Sequence, residues 1–331
     1  MVTNPVHRES VEQRNIPAGL IDEARQHVYQ AAIRTPLVRL NYDAPAEIYL
    51  KLECLQPIGS FKSRGAYNAV RKLPEAERRK GVWTVSAGNA AQGVALAARK
   101  AGVPCQVLVI ETAPATKLEA VRRLGAEIVK ASYERCWQAL EDRAHPAMKG
   151  AFVHPFEDDE FIAGNASVGL EILEDLPEVD AVVAGFGGGG LSCGIAAALK
   201  ERGSAAKVFG AEPETAAPLA HSFEAGSAQR FPDWQASWVD GCGGKSVFPR
   251  MWALARHLIA GSIVCTLEET RQAMRIVATR NHVIAEGAAA CAVAAGLSGE
   301  CGNGKVVCVV SGGNIDLAKF AELIAGPDSQ A

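Results

Sequence analysis

Hydrophobic positions along the chain follow two alternating rhythms. Short β-branched runs such as Val82-Trp83-Thr84-Val85 give way to longer stretches in which apolar residues recur at helical spacing. The same alternation follows residues 105–110 and 127–129, and further strands are expected at 181–184, 208–211, 263–265 and 306–310, each leading into a helix. Strands separated by helical crossovers predict an α/β fold with parallel sheets flanked by helices. Around Lys117 the stripe Leu118, Val121 and Leu124 marks one helix's inward face. Thr266 and Glu269 form a capping box that opens another, with Met274 and Val277 turned inward.

A chain of 331 residues exceeds the size at which one hydrophobic core usually stops growing, about 250–300 residues, so two domains are expected. Polar, turn-rich punctuation at 73–81 and 156–159 brackets a block of about half a typical domain's length. The expected division is a large domain from residues 1–76 and 158–331, with a small inserted α/β domain at 77–157. A cleft between two such domains is where small-molecule sites commonly form.

Composition narrows the class. With 48% hydrophobic residues, 21% charged residues and a formal net charge of −3, the chain reads as a soluble globular protein with no nucleic-acid partner. Its nine cysteines lie singly between Cys54 and Cys308 with no C-x-x-C pair, so neither a zinc site nor a redox couple is expected. They fit small apolar residues in a reducing cytoplasm. Residues 1–13 lack the basic start and apolar stretch of a secretory signal, which also predicts a cytoplasmic protein. Residues 181–199 have membrane-like length but contain six glycines, so they are expected to be strand, loop and helix, with no membrane partner.

The leading candidate for chemistry is Lys62, within Ser60-Phe61-Lys62-Ser63-Arg64-Gly65-Ala66, where a short hydrophobic strand is expected to turn into a helix. A lysine among apolar groups loses hydration of its ammonium form, so its pKa falls and the neutral amine that carbonyl chemistry needs becomes available. A lysine in a helix's first turn also commonly just reaches solvent. Gly185-Phe186-Gly187-Gly188-Gly189-Gly190 follows a strand and opens a helix, which suits an anion such as phosphate. Read literally, it also satisfies G-x-G-x-x-G with Glu212 placed as a ribose acid, so a nicotinamide-dinucleotide site is a rival. Gly190-Leu191-Ser192-Cys193-Gly194 matches the hydrolase nucleophile elbow, but Ser192 is separated from its strand by the glycine loop, and no histidine pattern supports it. The segment 86–93, with Ser86, Ala87, Gly88, Asn89 and Ala90, again joins strand to helix and could bind a carboxylate, or be a plain turn capped by Asn89. Ser311-Gly312-Gly313-Asn314 ends the last strand as a turn with a hydroxyl.

In this order, S-F-K-x-R-G-A, S-A-G-N, the tetraglycine loop and S-G-G-N, the chain resembles the fold-type II pyridoxal-phosphate enzymes of the serine/threonine dehydratase (threonine ammonia-lyase) and serine racemase family. The similarity runs over nearly the whole chain. It implies a two-domain, tryptophan synthase β-like fold and pyridoxal 5'-phosphate as cofactor. Lys62 would carry the cofactor as a Schiff base, Phe61 would pack near its ring, and Gly187, Gly188, Gly189, Gly190 and Leu191 would hold its phosphate. Ser311 would meet the pyridine nitrogen and Asn89 the ring hydroxyl. Ser86, Ala87, Gly88, Asn89 and Ala90 would receive the substrate carboxylate, and Glu286 occupies a family position close to the cofactor whose role stays open.

The implied reaction is dehydration and deamination of L-threonine or L-serine to a 2-oxo acid and ammonia, with the cofactor phosphate a candidate acid for the leaving hydroxyl. Ala87 stands where racemases of the family carry a serine for the second face of the α-carbon, which argues against racemisation. Ala90 replaces a common histidine and leaves substrate preference open. The family's divalent-metal positions are here Glu212, Ala216 and Pro218, and Pro218 offers no side-chain ligand, so no metal is expected. The chain's end soon after its last α/β unit suggests a catabolic enzyme without a regulatory domain. Trp234, Trp238 and Trp252 could line a pocket for a bulkier substrate such as L-threo-3-phenylserine, or simply pack; 3-hydroxyaspartate is another alternative. More remote readings are an NAD-dependent oxidoreductase and a non-catalytic pyridoxal-phosphate-binding protein. A homodimer or other homo-oligomer is the expected assembly.

Overall fold

The structure, a computed structural model, describes residues 14–325. Residues 1–13, expected to lack a secretory signal, and residues 326–331, at the far end of the expected large domain, lie outside the described residues. Two sheets form. The larger contains β1 (Leu37–Arg39), β2 (Glu47–Lys51), β7 (Ala181–Gly185), β8 (Lys207–Pro213), β9 (Gly261–Cys265) and β10 (Lys305–Val309), in the order β1-β2-β10-β7-β8-β9. The smaller contains β3 (Val82–Val85), β4 (Cys105–Ile110), β5 (Glu127–Ala131) and β6 (Ala151–Phe152), in the order β5-β4-β3-β6.

Every pairing is parallel except that of β1 with β2. Parallel strands buried on both faces explain the continuous apolar runs in the sequence. In β7, Val182 and Ala184 enter one core while Ala181 and Val183 enter the other. Val307 and Val309 of β10 divide in the same way from Val306 and Cys308, as the two-residue period of a strand requires. The helices Asp159–Asp175 and Gly190–Glu201 cover the first face; Leu267–Asn281 and Gly287–Leu297 cover the second. The capping box at Thr266 and Glu269 is present, with Met274 and Val277 buried. The nine cysteines are free thiols. Among the described residues, no helix is long and apolar enough to cross a membrane.

The chain reaches Lys62 differently from expectation. The strand expected before Ser60 is a 3-10 turn, Glu53–Leu55, and Ser60 makes only an isolated antiparallel bridge to Gly312. Pro57 lacks the N–H a ladder needs, and Gly59 adopts φ +68°, so the segment cannot stay extended.

Behind Lys62 lies a buried ionic cluster. Arg64 donates from Nε to Glu53 at 2.8 Å and from its terminal nitrogens to Glu171 at 2.6 and 3.0 Å, and to Ser167 Oγ at 3.0 Å. Lys51 pairs with Glu171 at 2.7 Å and donates to the Thr35 carbonyl at 2.7 Å. Thr35 Oγ1 and Gln56 Nε2 donate to the Glu53 carboxylate. Lys51, Glu53, Arg64 and Glu171 are each at most 1% exposed, so two buried cations face two buried carboxylates. Removing one partner from such a cluster is costly because the remaining charge stays desolvated. Arg64→Ala is expected to destabilise the fold by about 3–5 kcal/mol, read as a lower urea midpoint, whereas an unchanged midpoint would show that the cluster is dispensable.

Candidate active site

Lys62 opens the helix Lys62–Lys72, with Phe61 as its N-cap residue. The Phe61 N–H donates to the Ser311 carbonyl at 3.0 Å, which ties the lysine to the end of β10. Lys62 Nζ donates to the Pro155 carbonyl at 2.6 Å and stands 5.2 Å from the ring centroids of both Phe61 and Phe161. Burial among these groups lowers the lysine pKa to about 7, against an opposing pull from Glu286. The site therefore presents a lysine that is readily neutral near physiological pH.

The residue after Pro155 seats the glycine loop. A Cβ on Gly188 would stand 2.1 Å from the Phe156 ring, and one on Gly190 would stand 2.5 Å from the Phe156 carbonyl oxygen. Gly189, at φ +84°, is the N-cap position of the helix Gly190–Glu201. Side chains are thus excluded from a turn whose backbone N–H groups, continuing through Leu191, belong to a helix's first turn. That is a fitting cradle for a phosphate. Asn165 Nδ2 donates to the Gly190 carbonyl at 3.2 Å and anchors the loop from the helix Asp159–Asp175.

The expected carboxylate segment lies on the smaller sheet's side. Ser86 follows β3, and its Oγ accepts from the Gly88 N–H at 3.2 Å. Gly88 is the N-cap of the helix Asn89–Ala101, and a Cβ there would meet no atom within 4 Å, which leaves space beside the turn. Ala87 is half-buried and Ala90 is buried. The helix packs closely on the lysine helix: a Cβ on Gly93 would stand 2.7 Å from the Lys62 carbonyl oxygen. Asn89 does not cap its own helix. Its Nδ2 donates to Glu286 Oε1 at 2.8 Å, and its Oδ1 accepts from Asn314 Nδ2 at 2.8 Å. Glu286 also accepts from the Asn314 N–H at 3.2 Å, and burial, with Asp240 adding to it, raises the Glu286 pKa to about 8.

The four motifs therefore converge: Lys62 adjoins Ser311, the Asn89 helix and, through Pro155-Phe156, the glycine loop. Several contributors had little or no sequence signal. Pro155 acts through a carbonyl that any residue carries, and Phe156 stood among residues read as turn punctuation. His154 is wholly buried, ringed by Phe152, Phe156 and Phe248, and burial lowers its pKa to about 2. A neutral imidazole there braces Phe156 on the glycine loop.

The rival readings lose their residues. Glu212 lies in β8, accepts from the N–H groups of Leu219 and Ala220 at 2.8 and 2.9 Å, and receives the Ser262 hydroxyl at 2.6 Å. Its carboxylate caps the helix Pro218–Ala225, so both oxygens are taken up by that helix's N–H groups and Ser262, and burial raises its pKa to about 7. Among the described residues no group of three or more histidine, cysteine or acidic side chains could hold a metal ion. Ser192 is buried, and its hydroxyl donates to the Ala184 carbonyl at 3.5 Å, a backbone group in place of a catalytic base. The tryptophans pack in different places: Trp252 in the first core against Phe223, Trp238 against the second core, and Trp234 beside Lys245. A groove lined by Arg25, Glu174, Asp180 and Arg202 lies at the opposite end of β7 and contains none of the motif residues.

Comparison with known proteins shows what the chain as a whole is similar to. The family described as "Pyridoxal-phosphate dependent enzyme" matches residues 28–312. The chain is 38% identical over 310 residues to the L-threonine ammonia-lyase of Thermotoga maritima, covering 92% of this chain and 77% of that one. It is 35% identical over 325 residues to the catabolic L-threonine dehydratase TdcB of Escherichia coli K12, covering 95% and 98%. Its fold matches the structure of maize serine racemase with a TM-score of 0.84 at 30% identity, covering 95% of this chain and 97% of that one.

Because only the neutral amine attacks a carbonyl, cofactor attachment should follow the Lys62 titration. The rate at which apoprotein takes up pyridoxal phosphate, followed by absorbance, is expected to rise between about pH 6 and about pH 8 with a midpoint of about 7. A rise centred near about 10, the ordinary lysine range, would contradict the burial argument.

Proposed function

The chain belongs to the pyridoxal-phosphate dependent enzyme family, and from that premise we infer that it is a dehydratase: it converts a β-hydroxy amino acid of the threonine or serine class to a 2-oxo acid and ammonia. The observation that carries the reading at the site is Lys62, a pKa-lowered lysine packed beside both the glycine loop and the helix that opens at the turn of residues 86–88. When bound, pyridoxal phosphate supplies the electron sink that makes the amino acid's α-proton removable.

The protein's residues do the rest. The glycine loop from Gly187 to Leu191 is proposed to hold the phosphate, and Ser311 to face the pyridine nitrogen. A hydroxyl there cannot stabilise a protonated ring nitrogen as a carboxylate would, which favours prompt loss of the β-hydroxyl over a long-lived carbanion. Ser86, Gly88 and the first N–H groups of the Asn89 helix are proposed to bind the substrate carboxylate. Lys62 is proposed to take the α-proton from one face. Ala87 has no group to return a proton to the other, which supports elimination over racemisation.

The two sheets support reading residues 77–157 as a small inserted domain, with the site between it and the remainder. Exposed Leu55 and Ile284 provide apolar surface consistent with a homo-oligomer, and nine free thiols fit a cytoplasmic location. Trp252 packs in the first core, whereas Trp238 lies against Gly287 beside Glu286, so 3-phenylserine stays among the substrates to be offered.

Holoenzyme offered serine, threonine, threo-3-hydroxyaspartate and threo-3-phenylserine is expected to release 2-oxo acid from threonine or serine. Bound cofactor with no release from either would contradict the dehydratase reading.

A further inference from the structure

The segment 229–247 forms a compact loop between the helices Pro218–Ala225 and Pro249–Leu258. Its base is pinned by the Arg230 to Ser246 bridge and by backbone bonds from Phe231 to Lys245 and from Val247 to Gln229. Trp234 Nε1 stiffens it from within by donating to the Gly243 carbonyl at 3.0 Å. Its tip, Asp240-Gly241, reaches the active site. A Cβ on Gly187 would stand 2.5 Å from the Gly241 carbonyl oxygen, and one on Gly241 would stand 3.7 Å from Glu286 Oε1.

The loop also reaches the smaller sheet's helices in three places. Asp240 is ion-paired with Lys117 on the helix Ala115–Arg123. Lys245 lies between the rings of Trp234, from its own loop, and Tyr133, from the helix Tyr133–Asp142, with Nζ 4.2 Å from each centroid. Phe248, at the loop's end, meets Trp137 edge-on at 5.3 Å. The aromatic contacts form the back of the strap, whereas the ion pair joins the helix that packs on the Asn89 helix to the loop tip beside Glu286. Asn89 with Glu286 and Asn314 ties the same two sides together at the floor of the site.

We propose that Lys117 and Asp240 are a positioning pair: their contact holds the loop tip against the smaller unit and sets how tightly the substrate amino acid is enclosed. The inference rests on the dehydratase reading, in which the carboxylate turn and the glycine loop grip opposite ends of substrate and cofactor. The pair touches no reacting atom. Its side chains are 37% and 58% exposed, so its effect is modest and sensitive to salt.

In the holoenzyme, Asp240→Asn is expected to raise KM for 2-oxo acid release by about two- to fivefold, and either Asp240→Lys or Lys117→Glu by up to about tenfold, with kcat changed less than KM. The combined reversal, Lys117→Glu with Asp240→Lys, should return KM toward the wild-type value. The difference between wild type and Asp240→Asn should shrink at high salt. Hydrogen exchange of the 229–247 amides supplies a readout independent of turnover: protection should fall in each single reversal and recover in the double. Single reversals that leave KM and exchange unchanged, or a double reversal that restores neither, would overturn the proposal. If wild-type holoenzyme released no 2-oxo acid, the dehydratase reading would fail, while the exchange measurement would still decide whether the pair holds the loop.

Discussion

Two cations sit two residues apart in the first turn of one helix, and their different pairing organises the site. Arg64 is enclosed by Glu53 and Glu171, whereas Lys62 meets a backbone carbonyl and two aromatic rings and feels only the weaker pull of Glu286. A buried guanidinium must keep its carboxylates, so the helix cannot rotate or slide without breaking ion pairs in a low-dielectric interior. That constraint fixes where Lys62 emerges. Because the acids are committed to Arg64 and Lys51, the lysine is left without a close counter-ion, and desolvation sets its ionisation. The cluster's effect on function is thus indirect: it holds one charge firmly so that its neighbour can be neutral.

Close backbone contact does the rest of the positioning. Glycine at 93 lets the Asn89 helix lie on the Lys62 carbonyl, and glycine at 188 and 190 lets Phe156 lie on the glycine loop. The site is consequently assembled from elements far apart in sequence but in direct packing contact, and a small substrate can be held within reach of one base. Glu286 completes the floor. Its carboxyl receives Asn89 from one side and Asn314 from the other, so the smaller sheet's first site helix is bonded to the end of β10.

Much of this was legible in the chain. The alternation of strands and helices gave the α/β class because a parallel sheet buried on both faces has to read as apolar runs, as β7 and β10 do. The four motifs were visible because they need glycine, lysine and asparagine where few other residues serve. The strands β1 and β6 were not, having three and two residues, too few to show a period. β2 was hidden by its charged ends, whose burial depends on partners distant in sequence. Neither the use of Pro155, which acts through its backbone, nor that of Glu212, whose carboxylate caps a helix a few residues later, could be read from residue type. Motif matching left three readings of the glycine loop open; the positions of Ser192 and Glu212 in space decide between them.

Reducing the holoenzyme with borohydride and mapping the pyridoxyl group by peptide mass spectrometry tests whether Lys62 carries the cofactor. The label is expected on the peptide containing Lys62, at Lys62 itself. A label on any other lysine, or a cofactor that washes away unlabelled, would contradict the assignment of Lys62.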